Sequence, residues 1–139
     1  MARHIREVMQ TKPVTMPATS LVMEAARTMR DIDIGSIIVH EHDQIYGIVT
    51  DRDLVVRALA EGADWATVKL GDICSRELTV LSPTHTVEEA VALMRDKAIR
   101  RLPVVEHGTP VGIVSLGDLA LTQDPRSALG DISAAPPNT

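Results

Sequence analysis

The sequence predicts a mixed α+β fold made of two copies of one strand–helix–strand–strand–helix motif, packed sheet to sheet about a pseudo-twofold axis. Three observations carry that expectation. The stretch Gly47-Ile48-Val49-Thr50-Asp51-Arg52-Asp53-Leu54 returns as Gly112-Ile113-Val114-Ser115-Leu116-Gly117-Asp118-Leu119, 65 positions later. Met29-Arg30-Asp31 returns as Met94-Arg95-Asp96 at the same offset. Each copy is also too short to bury a good core alone, so the two halves should share one.

Taken in order, Ile5 to Gln10 reads as a short helical turn with Ile5, Val8 and Met9 on one side. Leu70 to Ser75, with Leu70, Ile73 and Cys74, is its counterpart. Each leads to a short extended piece, Val14 to Pro17 and Thr79 to Pro83, where proline ends the extension ahead of a helix. The first helix is expected from about Leu21 to Ile32 with Ser20 as N-cap. Its apolar stripe is Val22, Ala25, Ala26, Met29 and Ile32. In the second copy Thr86 caps, Glu89 completes a capping box, and Val87, Ala90, Val91 and Met94 form the stripe.

A strand pair follows in each half. Ser36–Val39 and Ile45–Val49 flank the polar turn Glu41-His42-Asp43-Gln44. Leu102–Val105 and Val111–Val114 flank Glu106 to Pro110. Consecutive β-branched residues suggest strands covered on both faces. Helices are then expected from about Asp51 to Ala60, closed by Gly62, and from about Leu116 to Leu121. Along the chain this gives residues 1–66 as the first motif with its helical turn and linker, and 67–123 as the second. Residues 124–139 form a tail, with one turn at Ala128–Ile132 and disorder from Ala134 to Thr139.

Composition narrows the function. The chain of 139 residues is 45% hydrophobic and 24% charged, as in ordinary soluble proteins. Trp65 and Tyr46 are the aromatic residues and Phe is absent, so the core must be aliphatic and base-stacking platforms are disfavoured. A net charge of −5 argues against coating a nucleic acid, which needs a basic face. Cys74 is alone, which rules out an intrachain disulfide and a cysteine-rich zinc site. Neither a signal-peptide core nor an apolar run of about 18 residues appears, so a cytoplasmic protein without a membrane partner is expected.

Thr50 and Asp53, with Ser115 and Asp118, are the candidate chemistry. A hydroxyl beside the free N–H groups of a helix start favours an anion such as phosphate. A carboxylate one turn on accepts two hydrogen bonds from adjacent hydroxyls, as a ribose presents them. Arg100-Arg101 offers cations whose planar forks suit phosphate. A hydroxyl followed three residues later by Asp also makes a capping box, and the two readings are compatible.

With those residues in hand, the chain closely resembles a tandem pair of cystathionine-β-synthase (CBS) domains, a Bateman module, over about residues 5 to 122. The matching segments are Thr86 to Ala90, Ile99 to Val105 and Gly112 to Leu119, with their first-half partners. With no catalytic, channel or transporter domain attached, the resemblance is to a stand-alone pair. It implies a non-enzymatic regulatory module that needs no cofactor and takes AMP, ADP, ATP or S-adenosylmethionine as ligand. It further implies that Asp53 and Asp118 hold ribose hydroxyls, with Thr50 and Ser115 near ribose and phosphate. The first cleft would add Thr79, Val80, Leu81, Ile99, Arg100 and Arg101. The second would add Val14, Thr15, Met16, Ile34, Gly35 and Ser36. Since Gly35-Ser36 stands where the other half has Arg100-Arg101, the Asp53 cleft should prefer phosphorylated ligands and the Asp118 cleft should be weaker or less charged. A homodimer is implied, with Leu54, Val55, Ala58 and Leu59 in its contact or in the chain's own core, and an effector protein of unknown identity. The alternative is a structural or stress-associated interaction protein with empty clefts.

Other constellations are weaker. His40 and His42, two apart on a strand, read as surface histidines or a metal pair without a third ligand. His85 reads as a loop residue. Cys74 matches Met9 on an apolar stripe and reads as a buried small hydrophobe.

Overall fold

A computed structural model describes residues 3–76 and 78–123, together with residues 132 and 135. It contains two three-stranded sheets with helices, a mixed α+β architecture. Among the described residues, those of Val14–Leu78 form one compact unit, and those of Met1–Pro13 and Thr79–Thr139 form the other. The compact units therefore do not follow the sequential division at residues 66 and 67. The opening segment packs with the second motif, and residues 67–76 pack with the first. The expected turn at 128–132 and tail at 134–139 lie, Ile132 and Ala135 apart, outside the described residues.

In both units the hairpin strands follow from local chemistry, whereas the third strand of one sheet does not. β1 (Gln10–Thr11) belongs to the second sheet, so Gln10 is a strand residue and not the end of a helical turn. The turn itself is a single 3-10 turn, Ile5–Glu7. β2 (Thr15–Pro17) lies parallel to β3 (Ser36–Glu41), which runs antiparallel to β4 (Gln44–Thr50). The parallel pair requires a crossover, and α1 (Val22–Ile32) supplies it. α1 begins one residue later than expected. Leu21 is the N-cap, its N–H donating to Glu24 Oε1 at 3.2 Å, while the Ser20 N–H is spent on the Pro17 carbonyl at 2.9 Å. Val22, Ala25 and Met29 are buried, but Ala26 is exposed and Ile32 is 55% exposed, so the core takes a narrower stripe than the spacing suggested.

The β3–β4 hairpin closes through His42 and Asp43, both at positive φ (52° and 61°). That is the backbone of a type I′ turn, whose twist matches that of the strands. It removes His42 from the strand, so His40 and His42 do not share a strand face. Ile37, Ile38 and Val39 are each 0% exposed. Successive strand residues point to opposite faces, so the middle of β3 is covered on both. The following helix is split: α2 (Asp51–Asp53) continues as a π-helical segment, Leu54–Leu59, in which the Ala60 N–H reaches the Val55 carbonyl at 2.8 Å. Gly62 closes it at φ 73°. α3 (Leu70–Ile73) returns Leu70, Ile73 and Cys74 to the core of Val22, Ala25, Met29, Ile37, Val39, Val49 and Ala58. Burial pushes the Cys74 thiol up, against the opposing pull of the Arg76 charge, so it is a packed hydrophobe and not a poised nucleophile.

The other unit repeats the pattern with one exchange. α4 (Val87–Lys97) starts at Thr86, whose Oγ1 accepts from the Glu89 N–H at 3.1 Å, the expected capping box. Val91 lies off the buried stripe at 37% exposure. β5 (Arg101–Glu106) and β6 (Thr109–Ser115) form the hairpin around His107 and Gly108, again both at positive φ. α5 (Leu116–Gln123) follows. β1 pairs antiparallel with β6, Gln10 opposite Ile113 and Thr11 opposite Gly112. Ile5 is 0% exposed in a core with Leu81, Val87, Ala90, Met94, Leu102, Val104, Val114 and Leu119.

Candidate functional site

Each Gly-Ile-Val strand ends in the same side-chain arrangement. Thr50 is the N-cap of α2. The Thr50 N–H donates to Asp53 Oδ2 at 2.8 Å, and Thr50 Oγ1 accepts from the Asp53 N–H at 3.2 Å. In the other unit the Ser115 N–H donates to Asp118 Oδ2 at 2.9 Å, and Ser115 Oγ accepts from the Asp118 N–H at 3.1 Å. The capping-box reading is therefore true of both copies. It also fixes each carboxylate, because one oxygen is tied to the backbone and the other is left to meet a partner.

That second oxygen differs between the copies. Asp53 Oδ1 takes no hydrogen bond among the described residues, and its neighbour is Arg57 Nε at 3.6 Å. Asp118 Oδ1 accepts from Gln10 Nε2 at 3.1 Å. The Asp53 side chain is only 17% exposed, so the Arg57 charge offsets part of the cost of holding a carboxylate away from water.

The remaining candidates fall beside these cradles within each unit. Ser36 is opposite Thr50 across the β3–β4 ladder, and the Gly35 carbonyl accepts from the Asp51 N–H at 3.0 Å. Thr15 is opposite Ile38 on the next strand, Val14 and Met16 pack against the core of that unit, and Ile34 does the same. In the other unit Arg101 is opposite Ser115, and the Arg100 carbonyl accepts from the Leu116 N–H at 2.8 Å. Arg100 and Arg101 are exposed, and among the described residues neither has a carboxylate within 4.0 Å. Thr79 is half-buried and Val80 37% exposed.

Leu81, expected in the first cleft, packs inward. Its side chain is 0% exposed in the core. Its N–H donates to the Pro103 carbonyl at 2.9 Å and its carbonyl accepts from the Val105 N–H at 2.8 Å, so its backbone is tied to β5. Ala58, expected at a dimer contact or in the core, is likewise 0% exposed and is core. Conversely, spacing gave no sign of Gln10 or Arg57 as partners of the two carboxylates. Only the register of β1 on β6 and the helical i,i+4 step after Asp53 bring them there.

Each unit also carries an apolar groove between its two helices. In Val14–Leu78 it measures about 520 Å³ and is lined by Val22, Met23, Leu54, Val55, Leu59 and Trp65, with Arg27, Arg30 and Asp51. The other, about 420 Å³, includes Val91, Met94, Ile99, Leu116 and Leu119. Among the described residues no three His, Cys, Asp or Glu side chains gather as a metal site would require, and no helix is long and apolar enough to cross a membrane.

A doubled hairpin-and-helix motif, with a capped Asp just past the end of each second hairpin strand, defines a paired, repeat-built module. The chain belongs to the CBS-domain family: the family model matches residues 5–59 and again 70–122. It is 36% identical over 126 residues to the CBS domain-containing protein YhcV of Bacillus subtilis, covering 91% of this chain and 89% of that one. Among solved structures it is similar to Hypoxic Response Protein I with two coordinated zinc ions (TM-score 0.77, 29% identity, 84% of this chain and 96% of that one). It is also similar to a hexameric CBS-CP12 protein from bloom-forming cyanobacteria (TM-score 0.78, 31% identity, 90% and 74%). CBS-domain pairs are generally regulatory, ligand-binding and non-catalytic.

Proposed function

We propose that this chain is a regulatory module that senses an adenosine-containing ligand, such as AMP, ADP, ATP or S-adenosylmethionine, and signals through its assembly. The observation that carries this reading is Asp53. Its carboxylate is half-buried and held by the Thr50 N–H at 2.8 Å, with Oδ1 left without a hydrogen bond among the described residues. A fixed acceptor of this kind suits a ribose hydroxyl. Binding shifts an equilibrium between arrangements of the module only as far as the ligand prefers one of them. An effector protein reading that shift completes the proposal.

Titration calorimetry with AMP, ATP and S-adenosylmethionine tests the ligand. Wild type is expected to bind at sub-millimolar concentration, and Asp53→Ala about tenfold or more weakly, the worth of a hydrogen bond to a charged group. Equal binding by a folded Asp53→Ala, or no binding by wild type, refutes the site. A relative, Hypoxic response protein 1 of Mycobacterium tuberculosis, is 30% identical over 116 residues. Its name favours a second reading, a stress-associated interaction protein with empty clefts. That reading predicts no shift in melting temperature with any adenosine compound and a constant co-purifying partner.

The assembly we propose is a homodimer, or a larger homo-oligomer, built on the groove beside α1. Val55, Leu59 and Trp65 are 55%, 50% and 46% exposed there, clustered where isolated surface apolar residues would be ordinary. The hexameric CBS-CP12 relative supports a second copy as occupant. Leu59→Asp is expected to sediment as a monomer while melting close to wild type, because Leu59 is not part of the core. An unchanged sedimentation coefficient refutes this use of the groove.

A further inference from the structure

We infer that Gln10 is a built-in occupant of the Asp118 carboxylate and sets the difference in ligand affinity between the two cradles. The inference rests on the reading of the cradles as ribose sites. Gln10 Nε2 lies 3.1 Å from Asp118 Oδ1 and 3.5 Å from Oδ2. One amide group thus spans both carboxylate oxygens, as the two hydroxyls of a vicinal diol would. An ionised carboxylate only accepts hydrogen bonds, so amide and diol compete for the same lone pairs.

The repeat supplies its own comparison. β1 seats Gln10 opposite Ile113, and the equivalent residue in the other unit, Ser75, bridges to Ile48. Ile113 and Ile48 are 65 positions apart, as are Ser75 and Gln10, so the backbone register is the same. The side chains are not. Gln10 carries a long amide that reaches the carboxylate, whereas Ser75 makes no hydrogen bond to Asp53 among the described residues. Both oxygens of Asp118 are thereby engaged, Oδ2 by the Ser115 N–H and Oδ1 by Gln10, while among the described residues Asp53 Oδ1 has only the longer Arg57 contact. A diol ligand entering at Asp118 must first displace Gln10. Gln10 is exposed and its amide can pass to water, so the contact is a competitor rather than a permanent seal.

AMP titration on an Asp53→Ala background isolates the second cradle. Adding Gln10→Ala is expected to tighten AMP binding about tenfold, the worth of one hydrogen bond to a charged acceptor. The gain should vanish with 2′-deoxy-AMP, which lacks the diol, whereas a merely structural effect of the substitution would persist. Gln10→Ala alone should raise the stoichiometry from one AMP to two. If wild type binds AMP through Asp53 but Gln10→Ala changes neither affinity nor stoichiometry, this inference falls and the ligand assignment stands. If no variant binds AMP, both fall.

Discussion

Gly47→Ala is expected to cost about 2–3 kcal/mol of stability, and Gly112→Ala only about 1 kcal/mol, although the two glycines occupy equivalent places in the repeat. A Cβ on Gly47 would sit 2.5 Å from the Ser75 carbonyl oxygen and 2.8 Å from Cys74 Sγ. The Ser75 oxygen is backbone, and it already accepts from the Ile48 N–H at 3.1 Å while the Ser75 N–H donates to the Ile48 carbonyl at 3.0 Å. Moving it aside breaks a reciprocal pair of hydrogen bonds, each worth about 1 kcal/mol net, and disturbs a buried thiol. The entropy that alanine removes from the unfolded chain offsets under about 1 kcal/mol of this. At Gly112 the nearest atoms are Met9 Sδ at 2.6 Å and Met9 Cγ at 3.0 Å, on a flexible side chain, with the Gln10 carbonyl at 3.0 Å. Methionine has three rotatable bonds and yields space at lower cost. Urea midpoints of the two variants decide it. Equal losses, or a Gly47→Ala within about 0.5 kcal/mol of wild type, would show that the close approach does not constrain the strand.

Ile5→Ala is expected to destabilise the unit containing the second motif by about 2–4 kcal/mol, the usual range for emptying a buried isoleucine site. Ile5 is 0% exposed beside Leu81, Leu102 and Leu119, and its N–H donates to the His85 carbonyl at 2.8 Å. Hydrogen exchange gives the location. The Leu81, Val87 and Val105 amides should lose protection first, since their bonds hold the pieces that enclose Ile5. The expectation fails if exchange quickens instead at Ile38 and Ile48, in the unit that the sequential order of the chain would have chosen.

Both predictions show where reading the chain stops. The hairpins were legible because β-branched runs around polar turns specify strands locally. Thr86 and Glu89 were legible because a capping box closes within three residues. The Thr50–Asp53 and Ser115–Asp118 pairs were legible for the same reason, each closing a capping box within three residues. Ser20 was misplaced as a cap by one residue, because an N-cap choice depends on which N–H groups are already bonded, and Ser20 donates to Pro17. For Leu81 only the structure shows the side chain in the core, because an extended apolar residue next to a site looks the same in sequence whether it lines the site or the core behind it.

By itself, the amino-acid order determined the doubled motif, the aliphatic core, the hairpin strands, the helix between each unit's outer segment and its hairpin, and the two Asp-bearing turns, all written in patterns a few residues long. Only the tertiary structure decided that Ile5 enters the core of the second motif, that residues 70–75 press on Gly47, and that Gln10 meets Asp118. Burial of apolar surface is non-directional. A local stripe announces which side of a segment avoids water, but not which of two equivalent cores receives it, and every long-range partner of a side chain follows from that choice.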